Sequence, residues 1–231
     1  ANHRSELQDT YRFNVSDVVH SLTDKGQQYR LAAGLGIPIP RTAFPGEQDV
    51  EEIAADMEYP CILKPCQSHL WLRFVGTHST KSWGKAIEVH SGSELVQTYR
   101  EVSRSGLPFM VQETIPGRDD QLYGLFTYLD RTSQPLAVLT KRKLRQSPRG
   151  YGVGSIHVSV RVPEVAELGL RLLQGLKFSG LAGVEFKRDA RDGKFKLIEI
   201  NPRSIAITQL AVVCGVDIPF VAYRDCLGER V

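Results

Sequence analysis

The segment from Gly183 to Ser204 constrains this chain more than any other. Its two halves alternate in polarity around a turn, a pattern that predicts a β-hairpin. In the first half Val184 and Phe186 fall on one face and Glu185 and Lys187 on the other. Residues 189–193 supply the turn, where Asp192-Gly193 gives the backbone freedom that a tight reversal needs. In the second half strict alternation sets Lys196, Ile198 and Ile200 on the face opposite Phe195, Leu197 and Glu199. Glu185 and Glu199 are evenly spaced about the turn, so the hairpin brings them opposite or diagonal to one another. Two carboxylates held close repel and call for a cation between them. Asn201 adds a neutral carbonyl oxygen, and three such oxygens suit a hard ion such as Mg2+. Pro202 stops the strand, and Arg203 offers a planar cationic fork that fits phosphate or carboxylate. The competing reading is a surface hairpin whose charges simply face water.

Composition bounds the rest. The chain has 231 residues, enough for one large domain or two small ones, and its 42% hydrophobic and 24% charged residues are ordinary for a globular protein. A net charge of +3 is too small to argue for nucleic acid, and only Lys141-Arg142-Lys143 stands out as a basic block. No run of about 18 apolar residues is present, so no transmembrane helix and no membrane partner are expected. The first residues also lack the apolar core of a secretory signal. Cys61, Cys66, Cys214 and Cys226 form no CxxC pair and have no histidine at zinc spacing. They read as reduced thiols, which points to a cytoplasmic protein. Residues 1–19 carry no clear start signal and read as the remnant of a preceding linker or domain.

Helix and strand patterns alternate ahead of the hairpin. A helix is expected from Thr23 or Asp24 as N-cap, with Leu31, Ala32 and Leu35 as its apolar stripe. Gly34 and Gly36 end it before the extended Pro38 and Pro40. Glu47 to Met57 is a second helix, acidic where the helix dipole favours it. Tyr59 to Pro65 is an apolar strand that finishes in Lys64, and a lysine there needs an anion or an escape to solvent. Residues 67–84 form a long loop with several hydroxyl residues, three aromatics and few glycines, and Lys85 follows it. Ser93 to Ser105 is helical, and Phe109 to Gly117 is a strand that runs into a turn. From Gln121 to Val162 the pattern is β-type, and alternation sets Lys141, Lys143 and Arg145 on one side of a strand. Three cations on one face should see phosphates or an acidic substrate. The glycines of residues 150–154 then allow close backbone approach and a mobile turn. Glu164 to Phe178 and Ile205 to Cys214 are helices, and Ile218-Pro219 starts another that holds Arg224, expected to pair with a carboxylate.

Taken in order, these blocks resemble the ATP-grasp superfamily, in its carboxylate–amine-ligase-like or carbamoyl-phosphate-synthase-like subgroup. The resemblance spans residues 20–230. It rests on DKGQQYRLAAGLGIPIPRT at 24–42, YPCILKP at 59–65, VQETIPG at 111–117, KRKLRQSPRG at 141–150, and Glu185 with EINPR at 199–203. It implies an α+β fold in which two α+β lobes grip ATP. Residues 20–115 would be the first lobe with a phosphate-loop lid, and residues 116–231 the second with the metal-binding hairpin. The domain that precedes these lobes in the family is expected to be missing.

The implied cofactors are ATP and Mg2+, or Mn2+ in its place. By this resemblance Glu185, Glu199 and Asn201 hold the metal, while Lys64, Lys85 and Lys143 neutralise the triphosphate. Gln112, Glu113 and Ile115 of the interlobe strand meet the adenine, and Asp120, with Asp119 as its competitor, takes the ribose hydroxyls. Arg203 and Lys143 are the catalytic candidates. The loop ahead of Lys85 departs from the family pattern, which is usually glycine-rich there. The implied reaction joins a small-molecule carboxylate to an amine, or to a thiol or ammonia, through an acylphosphate. A homodimer is one assembly consistent with it. The alternatives from other classes are a non-catalytic ATP-binding regulatory module and a plain interaction domain.

Overall fold

A computed structural model describes residues 4–7, 10–11, 16–68, 70–71, 86–147 and 149–229. After a short helix α1 (Arg4–Leu7), the order is α2 (Lys25–Gly34), β1 (Thr42–Ala43), α3 (Val50–Asp56), β2 (Cys61–Pro65), β3 (Ile87–Val89), α4 (Gly92–Val102) and β4 (Phe109–Glu113). Then follow β5 (Leu122–Leu129), β6 (Pro135–Ser147), β7 (Val153–Ser159), α5 (Pro163–Gly175), β8 (Gly180–Arg188), β9 (Phe195–Asn201), α6 (Thr208–Val213) and α7 (Ile218–Leu227). The strands form two antiparallel sheets, β1-β4-β2-β3 and β7-β6-β5-β8-β9. The chain is therefore α+β. Among the described residues no helix is long and apolar enough to cross a membrane.

Local chemistry sets the helix starts. Asp24 caps α2 by accepting from the Gln27 N–H at 3.0 Å. The second helix starts at Val50 rather than Glu47, because Asp49 accepts from the N–H groups of Glu51 and Glu52 and so fixes the first turn. Ser91 does the same for α4 through the Glu94 N–H. The expected helix from Ile205 narrows to Thr208–Val213.

Each sheet has its own core. In the first, Ile53 of α3, Met57 just after it, and Leu95 and Val102 of α4 pack on Leu63, Val89 and Val111. In the second, α5 lays Val165, Leu172 and Leu173 against Leu125, Val184 and Leu197, and Leu22, Ala32 and Ile37 from around α2 join the same cluster. The opposite face of this sheet is only half covered: Ile207, Ala211 and Ile218 of the α6–α7 region pack on Phe126, Tyr128 and Leu139. Beyond that cover the same strand face continues with Gly124, Lys141 and Glu185, which are paired in register. Of these three, Glu185 lines the site.

β9 is an edge strand, and α2 seals it. The Gln28 amide donates to the Ile200 carbonyl and accepts from the Ile200 N–H, both at 2.8 Å, so one side chain stands in for a neighbouring strand. The Leu197 N–H bonds the Pro38 carbonyl at 2.9 Å. Truncating Gln28 leaves two buried backbone groups of Ile200 unpaired, and each such group costs about 1–3 kcal/mol. Gln28→Ala is expected to lower stability by about 3 kcal/mol in urea unfolding. A change below about 0.5 kcal/mol would contradict this account of the strand edge.

Candidate functional site

A cleft of about 340 Å³ lies between the two sheets. The first sheet contributes Ile62 and Lys64 of β2, Glu88 of β3, and residues 112–117 at the end of β4 and beyond it. The second contributes Lys143 and Gln146 of β6, Glu185 and Lys187 of β8, and Ile198 and Glu199 of β9. Lys25, at the first turn of α2, reaches in from the side.

The hairpin forms as the spacing predicts, with Glu185 directly opposite Glu199 and Gly193 in the left-handed turn at φ +74°. The strict alternation expected for β9 does not hold. A bulge lies where Glu185 pairs with Glu199 while Phe186 pairs with Leu197, so Ile198 is an extra residue. Before it Phe195 and Leu197 point into the core; after it Ile200 takes the core position and Glu199 shares the cleft face with Glu185. Without the extra residue Glu199 would continue the core face of Leu197. The bulge is what aims this carboxylate.

Ammonium groups meet both carboxylates. Lys141 and Lys143 donate to the two oxygens of Glu185 at 2.9 and 3.1 Å, and Lys25 pairs with Glu199 at 3.1 Å. Burial alone would raise the Glu185 carboxyl, but the two lysines overcome it and hold its pKa at about 2. Gly124 makes the approach of Lys141 feasible, because a Cβ there would sit 2.8 Å from Lys141 Cε. Lys64 is buried at 8% exposure, and burial pushes its ammonium below the ordinary lysine value, with Glu199 partly offsetting this. Lys25 is lowered by burial and by the nearby Lys64.

The single-sided row Lys141, Lys143, Arg145 is also corrected. Register shifts around residues 143–146 turn Arg145 outward and put Gln146 in its place, with 4% exposure. Gln146 donates to Asp119 at 2.9 Å and also bonds the Gly150 carbonyl. Tyr151, between Gly150 and Gly152, reaches across the cleft to donate to Glu88 at 2.6 Å.

No protein-family model matches the chain. A D-aspartate ligase of Enterococcus faecium (strain Aus0004) is 25% identical over 217 residues, covering 88% of this chain and 50% of that protein. The chain thus spans about half the length of that relative. Among solved structures, the biotin carboxylase domain dimer of Hydrogenobacter thermophilus 2-oxoglutarate carboxylase, with MgADP, ADP and bicarbonate, is similar at a TM-score of 0.72 and 17% identity. It covers 100% of this chain and 51% of that one. N5-carboxyaminoimidazole synthase from Aspergillus clavatus, with ADP and 5-aminoimidazole ribonucleotide, gives 0.70 at 14% identity over 98% and 57% of the two chains. D-alanine–D-alanine ligase from Bacillus anthracis, with ATP, gives 0.67 at 14% identity over 97% and 73%. The chain has the ATP-grasp fold.

Of the residues expected at an ATP-grasp site, Lys64, Gln112, Glu113, Ile115, Lys143, Glu185 and Glu199 line this one cleft. Asn201, Arg203 and Asp120 lie outside its lining. The Asn201 carbonyl oxygen accepts from Arg203 at 3.1 Å, and Asp120 pairs with Arg142 at 3.1 Å, while its competitor Asp119 lines the cleft. Lys85 and most of the loop before it lie outside the described residues. Among the described residues no group of three or more His, Cys, Asp or Glu side chains is placed to hold a metal. Sequence reading gave no role to Lys25, Lys187, Gln146 or Glu88 in this cleft. Lys25 carried one signal: a cation in the first turn of a helix opposes the dipole and so needs its own carboxylate.

Glu113, expected beside the adenine, is tied across the two sheets. Lys196 holds one carboxylate oxygen at 2.5 Å and Arg191 the other at 2.8 Å, with the Arg41 N–H adding a third bond at 3.0 Å. Burial would raise this carboxyl, but these partners together hold it below the ordinary glutamate value. A depressed folded pKa contributes stability that is present above the unfolded value, about 4.3, and is lost as pH falls through the folded one. Glu113→Gln should therefore lower stability at pH 7 and flatten the decline below about pH 4.3 in pH-dependent urea unfolding. An unchanged acid limb would show that this ion pair does not join the sheets in solution.

Proposed function

We propose that the chain is the nucleotide-binding part of an ADP-forming carboxylate–amine ligase, which activates the carboxylate as an acylphosphate at the cleft. The observation that carries this reading is charge. Four buried or nearly buried ammoniums, Lys25, Lys64, Lys141 and Lys143, face two carboxylates, Glu185 and Glu199. Buried ammonium charge in excess of its partners is costly, so the end of the cleft around Glu185 and Glu199 favours a multiply charged anion. The fold supports a nucleoside triphosphate as that anion, and the relative named D-aspartate ligase supports C–N ligation.

The donor set fits a hard divalent ion. Glu185 and Glu199 are paired in register on the cleft face, the Glu185 carboxyl is held ionised, and the Asn201 carbonyl oxygen follows two residues on. Bound Mg2+ would supply charge neutralisation at the phosphate oxygens. In this reading Lys64 and Lys143 neutralise the triphosphate from opposite sheets, and residues 112–115 place the base. Ile62 and Ile198 exclude water from it. Arg203 steadies the transferring phosphoryl group, and Asp119 or Asp120 takes the ribose. Little covalent work falls to side chains in phosphoryl transfer, where positioning and charge dominate.

The test is calorimetric titration with ATP, with and without Mg2+, beside Glu199→Ala. The expected result is magnesium-dependent binding in the wild type that falls at least tenfold in the variant, with its unfolding midpoint preserved. Equal nucleotide affinity in the two proteins would overturn the assignment of Glu199. Release of ADP on adding candidate carboxylate and amine pairs then tests the ligase step.

A further inference from the structure

We propose that the Tyr29 hydroxyl is a positioning group that sets the two sides of the cleft in register, holding Lys64 from one sheet and the Glu199 bulge from the other. The proposal rests on the nucleotide-site reading above.

Tyr29 lies on α2 and is 1% exposed. Its hydroxyl donates to the Ile198 carbonyl at 2.6 Å and accepts from the Lys64 ammonium at 3.1 Å. Gln112 Oε1 lies at 3.4 Å, the longer of the two possible acceptors, and its own amide donates to Thr42 at 2.9 Å. Burial pushes the phenol up to about 12, so the proton stays on the oxygen and remains available to Ile198. Among the described residues this hydroxyl is the Lys64 ammonium's hydrogen-bond partner.

The choice of Ile198 matters. It is the extra residue of the β9 bulge, and its carbonyl belongs to the peptide unit that carries the Glu199 N–H. Fixing that carbonyl fixes the peptide plane and hence the direction in which the Glu199 side chain leaves the backbone. The same oxygen atom holds the one ammonium that β2 sends into the cleft. A single atom of α2 thus positions a cation of the first sheet against a carboxylate of the second. Neither group can shift without stretching a bond to it. Its neighbours reinforce the arrangement: Lys25 pairs with Glu199, and Gln28 fixes Ile200. Tyr29 touches no reacting atom in this scheme; it acts through Lys64 and Glu199.

The distinguishing readout compares MgATP with adenosine. Lys64 and Glu199 act on phosphates and metal, whereas adenosine uses residues 112–115. Titrating the full chain, Tyr29→Phe should weaken MgATP about tenfold and leave adenosine within about twofold of wild type. Loss of both ligands in proportion would mark Tyr29 as structural only and overturn the proposal, as would unchanged MgATP affinity. Should Tyr29→Phe fail to fold, 3-fluorotyrosine placed at residue 29 keeps ring and hydroxyl while weakening the oxygen as an acceptor. It should weaken MgATP about threefold with adenosine unchanged, and wild-type affinity for MgATP there would again overturn the proposal. Absence of MgATP binding to the wild-type chain would instead overturn the nucleotide reading beneath it.

Discussion

Burying an ammonium group away from water is among the less favourable things a protein can do, and this one gathers several around a single cleft. The surrounding structure answers that constraint. Glycine at position 124 leaves room for the Lys141 stem, Glu185 accepts from two lysines at once, and Glu199 meets Lys25. Even so, the positive groups outnumber their carboxylates, and Lys64 relies on a neutral phenol. The end of the cleft around Glu185 and Glu199 is thus under-neutralised, which is the electrostatic condition under which a polyanion binds well.

The two sheets depend on one another for this arrangement. Neither face of the cleft is complete alone, since both sheets contribute cations and carboxylates to it. Two contacts fasten them at opposite places: the Glu113 cluster with Lys196 and Arg191, and the Tyr151–Glu88 bond near the glycine run. Helix α2 adds a third, since its residues pack with the second sheet while its capped start bonds the Cys66 carbonyl beyond β2.

Much of this was legible in the residues. The hairpin, its turn, the pairing of Glu185 with Glu199, the buried Lys64 and the order of helices and strands all follow from polarity spacing, and their order carried the fold. What spacing concealed were the two irregular strands. Alternation assumes one residue per step, so it put Glu199 with the core residues and Arg145 with Lys141 and Lys143. A single inserted residue reverses both assignments, and the sequence around Ile198 differs little from an ordinary apolar strand. Tertiary pairing was equally hidden. Nothing local in Gln28 or Tyr29 announces that their partners lie about 170 residues away, in β9.

The sealed edge of β9 gives the second sheet a direction. One margin is closed by a side chain and a neighbouring proline carbonyl, while the other, β7, pairs with β6 alone and exposes Val153, Ile156 and Val158. Among the described residues the sheet can accept a further strand at one margin only. Growth of this sheet is one-sided, and an added strand would extend it away from the β8–β9 hairpin.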